Sequence, residues 1–249
     1  MRFWQKIALL ALVIGLVIAG VYFFWRQQAE LIIPQVKIQK KPFKIAVMAD
    51  IHSDWECFKK GIETAKNDGV ALIIVNGDLT TAGKKEELLA GKKMLDASGL
   101  PYYLVSGNHD VYLSQKTKKD LISEVFGPAT TSFEQDTFLF ILIPQAELPG
   151  KEIERCRQVT CLVFVHEPPY HPTSDHVMAP ARSLGLLKML KENEAKIIFA
   201  GHLHYQMEYE FNGLKTIISG ALGADRNPQE PRFLEYIPLT NELKTVILN

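Results

Sequence analysis

Five short apolar runs in the chain each end in residues able to ligate a metal. Residues 45–49 lead into Asp50-Ile51-His52, and residues 72–75 into Asn76-Gly77-Asp78. Residues 102–105 lead into Gly107-Asn108-His109-Asp110, residues 162–165 into His166, and residues 197–200 into Gly201-His202-Leu203-His204. Short apolar runs bounded by turn signals read as buried strands. In open α/β sheets, ligands collect beyond the carboxyl ends of the strands. The five runs therefore predict one polar site along one sheet edge.

Between the runs the pattern becomes helical. Residues 54–67 and 84–97 have the length and composition of helices, closed by Gly69 and Gly99 where a left-handed residue is expected. Residues 118–126 predict a shorter third helix. Asp50, Asp78 and Asn108 are 28 and 30 positions apart, close to the roughly 30-residue period of a βαβ unit. Beyond Gly127 the texture changes. Residues 131–134 and 137–143 flank Gln135-Asp136, and residues 207–211 and 214–219 flank Asn212-Gly213, a strong hairpin signal. Residues 232–238 and 243–248 supply further strands. Parallel strands followed by hairpins predict two sheets with helices over their outer faces.

The N-terminus stands apart. Residues 7–25 form an uncharged apolar stretch of 19 residues, long enough at about 1.5 Å per residue to cross a ~30 Å hydrocarbon core. Trp4 lies before it, and Tyr22, Phe23, Phe24 and Trp25 crowd its far end, as interfacial aromatic belts do. Arg2 and Lys6 precede the stretch, while Arg26 is nearly alone after it. This bias predicts a single-pass anchor with the rest of the chain on the extracytoplasmic side. A cleavable signal peptide is the competing reading, since Val17-Ile18-Ala19 is a passable cleavage site, but the apolar run continues past it. The organisation expected is an anchor at 1–25, a tether at 26–41 and one catalytic-sized domain at 42–249.

The formal charge of zero and the lack of a basic run with interleaved aromatics give no indication of nucleic-acid binding. Cys57 reads as a small buried hydrophobe in the first helix. Cys156 and Cys161, five positions apart, can pair in an oxidising compartment, although three cysteines fit no disulfide framework.

Five of the seven histidines (His52, His109, His166, His202 and His204) fall at the predicted strand ends with Asp50, Asp78 and Asn108. That is too many groups for one tetrahedral metal. Two metals sharing a carboxylate accommodate them, and such pairs clamp the attacking and leaving oxygens of an in-line displacement at phosphorus. Two divalent ions outweigh the two carboxylates in charge, leaving a surplus for a bridging hydroxide and an anionic substrate. Imidazole-rich ligation favours Mn, Fe or Zn over Ca or Mg.

In this order, Asp-x-His, Gly-Asp, Gly-Asn-His-Asp, a lone His after an apolar strand, and Gly-His-x-His resemble the calcineurin-like metallophosphoesterases over residues 44–225. The resemblance implies a four-layer αββα sandwich and a dinuclear centre that hydrolyses phosphate esters. It implies that Asp50, His52 and His204 hold the first metal, Asn108, His166 and His202 the second, and Asp78 bridges them. His109, with Asn108 beside it, is implied as the catalytic pair, His109 protonating the leaving oxygen or stabilising charge on the phosphoryl group. Imidazole suits that role because its ordinary pKa lies near neutrality.

The chain also departs from two subclasses. Gly77-Asp78 is followed by Leu79-Thr80-Thr81, without the tyrosine ligand of purple acid phosphatases or the Asp and Arg of protein serine/threonine phosphatases. His109 is thus left without its expected carboxylate partner, for which Asp54 and Asp110 are candidates. His166 opens the stiff loop His-Glu-Pro-Pro-Tyr-His-Pro, placed over the site mouth. There His171 and His176 are candidate substrate contacts, weighed against ordinary loop histidines. Arg226 and Arg182 are candidate phosphate contacts, weighed against surface arginines.

The sequence thus predicts a membrane-tethered phosphomonoesterase or phosphodiesterase acting on a small phosphoester. A hydrolase of pyrophosphate linkages and a non-catalytic scaffold of the same fold are the alternatives.

Overall fold

A computed structural model describes residues 42–145, 148–225 and 227–248 and, before them, Ala19 alone. The expected anchor and tether otherwise lie outside the described residues, as does Arg226. Among the described residues, no helix is long and apolar enough to cross a membrane. Pro42–Asn249 forms one compact unit.

Strands β1 (Ile45–Met48), β2 (Leu72–Asn76) and β3 (Tyr102–Val105) lie side by side in parallel, linked by helices α1 (Trp55–Asn67) and α2 (Lys85–Ser98). β10 (Arg232–Ile237) and β11 (Glu242–Ile247) extend this sheet antiparallel on the β1 side, giving the order β11-β10-β1-β2-β3. From β3 the chain passes through α3 (Asn108–Thr117) and α4 (Leu121–Phe126) to a second sheet, ordered β4-β5-β6-β7-β9-β8. Its strands are β4 (Ser132–Gln135), β5 (Phe138–Ile143), β6 (Thr160–Val165), β7 (Ile197–Ala200), β8 (Gln206–Phe211) and β9 (Leu214–Ser219). β5, β6, β7 and β9 are parallel, and β4 and β8 are antiparallel edges. The β5–β6 crossover carries α5 (Gly150–Glu154) and a 3-10 turn (Arg155–Arg157), and the β6–β7 crossover carries α6 (Pro180–Glu192).

β1, β2, β5, β6 and β7 are apolar on both faces because both faces are covered. Ile45 and Val47 of β1 share an inter-sheet core with Phe140, Phe164 and Phe199 of the second sheet. Those three rings stack in series, with centroids 5.9 and 4.9 Å apart. The alternate residues Ala46 and Met48 pack toward Phe58, Ile62 and Leu95 of α1 and α2. On the far side, Leu139, Ile141 and Val163 pack toward Ile153 of α5 and Leu186 and Leu190 of α6. The result is a mixed α/β fold of two sheets flanked by helices. Each large side chain buried in these cores contributes about 1.5–3 kcal/mol.

Two expectations are corrected here. The five ligand-bearing runs do not share one sheet edge: β1, β2 and β3 belong to the first sheet, and β6 and β7 to the second. An apolar run reports burial on both faces, whichever sheet the strand joins, so its pattern does not reveal its partner. The helix expected at 118–126 forms as α4, Leu121–Phe126, and a helix that was not expected, α3, precedes it. α3 already begins at Asn108 and ends at Lys118, which is left-handed at φ 55°. Asp120 then caps α4 by accepting a hydrogen bond from Ser123 N at 3.0 Å. α3 starts inside the polar block because the Asp110 carboxylate reaches back to the Gly107 N–H at 3.0 Å.

The expected β8–β9 hairpin forms, with Phe211 paired to Leu214. Asn212 and Gly213 both take positive φ, as a type I′ turn demands. Cys156 and Cys161 form a disulfide that ties the 3-10 turn to the start of β6. Cys57 is only half-buried rather than a core residue.

Candidate metal centre

The carboxyl ends of β1, β2, β6 and β7 and the first turn of α3 bring the polar blocks together. At these corners the backbone turns sharply. Asp50, His52, Asp78, His202 and His204 all have positive φ, between 48° and 72°. Asn, Asp and His tolerate this region better than most non-glycine residues, and such strain concentrates at functional sites.

Two groups of possible ligand atoms result, Asp50, His52 and His204 in one and Asp78, His166 and His202 in the other, the atoms of each lying within 4.8 Å of one another. A third grouping of His52, Asp78 and His109 overlaps them. His204 Nε2 is 3.4 Å from Asp50 Oδ1 and 3.0 Å from His52 Nε2. His166 Nε2 is 3.1 Å from Asp78 Oδ2, and His52 Nε2 is 3.8 Å from the same oxygen. Asp78 therefore stands between both groups. Two imidazole nitrogens at 3.0 Å with carboxylates close by form a donor set converging on a small, positively charged guest.

Surrounding groups fix these ligands in place. The His202 N–H donates to both oxygens of Asp50, at 3.1 and 2.9 Å. The His109 N–H donates to Asp78 Oδ1 at 2.9 Å. His166 Nδ1 donates to the Asn76 carbonyl at 3.1 Å, so its Nε2 lone pair is the one available for ligation. Two glycines make room. A Cβ on Gly107 would lie 2.1 Å from Asp78 Oδ1, and one on Gly77 would lie 2.2 Å from His166 Nδ1.

Asn108 Oδ1 is buried with no hydrogen-bond partner. An orphan oxygen of this kind is costly unless something else satisfies it. The residues present therefore fit a metal pair.

Charge among these side chains points the same way. Burial pushes Asp50 up to about 8, against the pull of His166. Burial also opposes ionisation of Asp78, but His166 and His52 outweigh it and hold its carboxyl below the usual range. On His166, burial disfavours the cation, yet Asp78 and Asp50 prevail and raise it to about 10. Burial lowers His52 and His202 to about 4, leaving them neutral at physiological pH.

The structure also places the remaining candidates. The ring of His109 meets that of His52 edge-on, with centroids 4.7 Å apart, and its Nδ1 donates to the Thr81 carbonyl at 2.6 Å. A backbone oxygen, not Asp54 or Asp110, is thus its orienting partner. Asp54 instead caps α1 and accepts from Ala224 N at 2.9 Å. Asp110 is fully buried and accepts from Leu79 N, Thr80 N, Thr80 Oγ1 and Gly107 N, tying the Gly-Asp block to the Gly-Asn-His-Asp block.

His171 is buried. Its Nδ1 accepts from Thr173 N and Ser174 N, and its Nε2 meets the Tyr205 hydroxyl at 3.2 Å, so both ring nitrogens have partners within the protein. His176, on the same loop, is exposed and close enough to His202 to bear on its charge. Arg182 donates to the carbonyls of Pro144 and Gln145 and braces the loop after β5. Thr81 and Asn76 act through backbone carbonyls, which any residue supplies, so their roles left no mark in the sequence.

The profile of the calcineurin-like phosphoesterases matches residues 43–206. The chain belongs to that family. Among solved structures it is similar to the protein TT1561 of Thermus thermophilus, at 15% identity and TM-score 0.61, covering 84% of this chain and all of that one. It is also similar to a dimetal phosphatase from Danio rerio, at 13% identity and TM-score 0.58, covering 79% of this chain and 92% of the other. An archaeal phosphodiesterase aligns at 16% identity and TM-score 0.51, covering 83% of this chain and all of that one. At these identities the likeness is one of fold. No curated protein matches the sequence.

Proposed function

We propose that the chain is a metal-dependent phosphohydrolase, cleaving phosphomonoesters or phosphodiesters at a dinuclear centre. The observation that carries this reading is the pair of ligand groups with Asp78 standing between them. Asp50, His52 and His204 would hold one ion, Asn108, His166 and His202 the other, and Asp78 both. When bound, two Mn, Fe or Zn ions supply Lewis acidity and lower the pKa of water.

The chain's own residues do the rest. The His202 and His109 N–H groups hold the Asp50 and Asp78 carboxylates in place, while the Asn76 carbonyl sets the His166 tautomer. His109, oriented through Nδ1 by Thr81, presents Nε2 to the leaving oxygen and donates a proton there when charged. The full ligand set argues against a scaffold that has lost its chemistry, because buried Asp and His without metal are costly to keep. The likeness to a dimetal phosphatase and an archaeal phosphodiesterase supports phosphorus as the reacting centre.

The catalytic domain is proposed to be membrane-tethered by residues 7–25 and to lie outside the cytoplasm. The charge bias of the N-terminus and the Cys156–Cys161 disulfide both support this placement, since disulfides persist in oxidising compartments.

Metal analysis of the purified chain, together with turnover of phosphomonoesters, phosphodiesters and nucleoside triphosphates with Mn, Fe, Zn and Mg, tests the reading. About two metals per chain with ester hydrolysis is the expected result. Cleavage confined to pyrophosphate bonds would move the assignment to that linkage, and absence of both metal and turnover would sink it.

A further inference from the structure

Between helix α6 and the β8–β9 hairpin lies a groove of about 530 Å³. Leu187, Lys188 and Lys191 follow Leu184 by three, four and seven positions, so the four share one flank of α6. That flank adjoins the buried face of Leu186 and Leu190 and forms one wall. Opposite it, Tyr170 and Phe211 stack with ring centroids 3.9 Å apart, and the buried Ala195 and Leu214 close the bottom.

Two properties of the groove point to one kind of surface. Its apolar wall reaches into water, for Leu184 is 70% exposed, more than any other large apolar side chain among the described residues. Its rim is basic. Lys188, Lys191 and Lys196 are all exposed, and Glu194 is the one acid in the lining. Lys188 stands 3.9 Å from Glu192, whereas Lys191 and Lys196 have no ion-pair partner among the described residues. Lysine is depleted at protein–protein interfaces. Leucine flanked by lysine suits an anionic lipid surface, where the apolar side chain enters the interface and each ammonium stays with a headgroup phosphate.

The groove also lies where such a surface is within reach. β7 and β9 open beside it, at Ile197 and Leu214, and β7 runs from there to the metal centre at its carboxyl end. β1 ends at the centre as well, so Pro42, where the described domain begins, lies with the groove at the opposite end. The 16 residues 26–41 between the apolar stretch and that point span at most roughly 55 Å.

We propose that this flank of α6 docks on the bilayer holding the N-terminal stretch, with Leu184 and Leu187 in its interface and Lys191 and Lys196 on the headgroups of anionic phospholipids. This inference rests on the tethered placement proposed above and not on the chemistry of the centre.

The test places the full chain in nanodiscs of phosphatidylcholine, alone or mixed with phosphatidylglycerol, and follows amide hydrogen exchange. Amides of residues 184–191 and 211–214 should exchange roughly fivefold slower or more in the anionic discs, and high salt should erase the difference. Lys191→Glu combined with Lys196→Glu should remove the protection, and Leu184→Gln should weaken it. Lys191→Arg combined with Lys196→Arg should keep it. All three positions are exposed, so these variants leave the core intact, which circular dichroism verifies.

Equal exchange in the two kinds of disc, or protection that survives the paired glutamate variant, overturns the docking. Protection that is the same in both discs but grows with protein loading gives the face to a second copy instead. A chain that elutes apart from the discs removes the tether and the docking together. One that stays in them without lipid-dependent protection removes the docking alone.

Discussion

His166 donates its Nδ1 proton to the Asn76 carbonyl, and this 3.1 Å bond joins the carboxyl end of β6 in one sheet to that of β2 in the other. It sets the tautomer of a candidate ligand and ties together the two halves of the centre. The site thus depends on how the sheets face each other, not on either sheet alone.

Asp78→Asn should deplete metal from both groups, since Asp78 Oδ2 lies between His166 and His52. Metal affinity should fall at least tenfold, and activity should fall with it. Retention of two metals with full turnover would refute the shared role, and elemental analysis with a parallel kinetic assay decides the matter.

His109→Ala should keep the metals but slow hydrolysis by roughly a hundredfold to ten-thousandfold, most for esters with poor leaving groups. A plot of rate against leaving-group pKa is the appropriate measurement. Equal losses for good and poor leaving groups would remove His109 from the proton-donor role.

Metal uptake should depend on pH with a definite sign. Asp50 at about 8 and His166 at about 10 hold protons that a metal must displace, while His52 and His202 at about 4 are already neutral. Loading at pH 7 should therefore release about one to two protons per chain, and affinity should rise from pH 6 to 9. Calorimetric titration in buffers of different ionisation enthalpy counts those protons. The same shifts act on stability. The contributions of Asp50 and His166 are present below their ordinary pKa values and are lost as pH rises through the folded ones. The metal-free chain should consequently lose thermal stability between pH 7 and 10, and bound metal should reverse that trend.

Asp110→Ala removes a buried carboxylate that accepts four hydrogen bonds. A loss of about 3 kcal/mol in unfolding free energy is expected, together with weaker metal binding as the two ligand-bearing blocks drift apart. Denaturant titration of metal-free protein isolates the first effect. A change below about 1 kcal/mol would show that the clamp is dispensable.

Thiol titration of unreduced, denatured protein should find one reactive cysteine, Cys57, because Cys156 and Cys161 are paired. Reduction should cost about 2 kcal/mol for so short a loop. Three free thiols in protein isolated from its own cells would remove one support for the proposed extracytoplasmic placement.

The candidate ligands stood out in the sequence because metal chemistry restricts residue type and because buried strands announce where they end. Such endings single out Asp50, His52, Asp78, Asn108, His109, His166, His202 and His204 together, and their division into ligands and a catalytic group came only from the family resemblance. The division of the five runs between two sheets could not be read, since Ile45 and Leu162 face the same inter-sheet core and carry the same apolar signature. Nor could the partner of His109 be read, because Thr81 contributes a carbonyl that any residue would supply. The role of His171 was obscured for a different reason. A loop histidine looks alike in sequence whether it meets substrate or, as here, ties its own loop to Tyr205.

The left-handed corners at Asp50, His52, Asp78, His202 and His204 have a consequence for mutational tolerance. Valine, isoleucine and threonine are barred there by their branched Cβ, and alanine is strained. Glycine, asparagine, aspartate and histidine are the residues that such a backbone readily admits. Three of those four can bind a metal. At these positions the fold narrows the amino-acid alphabet toward ligands before any metal arrives, so a substitution that abolishes binding will often disturb the corner as well.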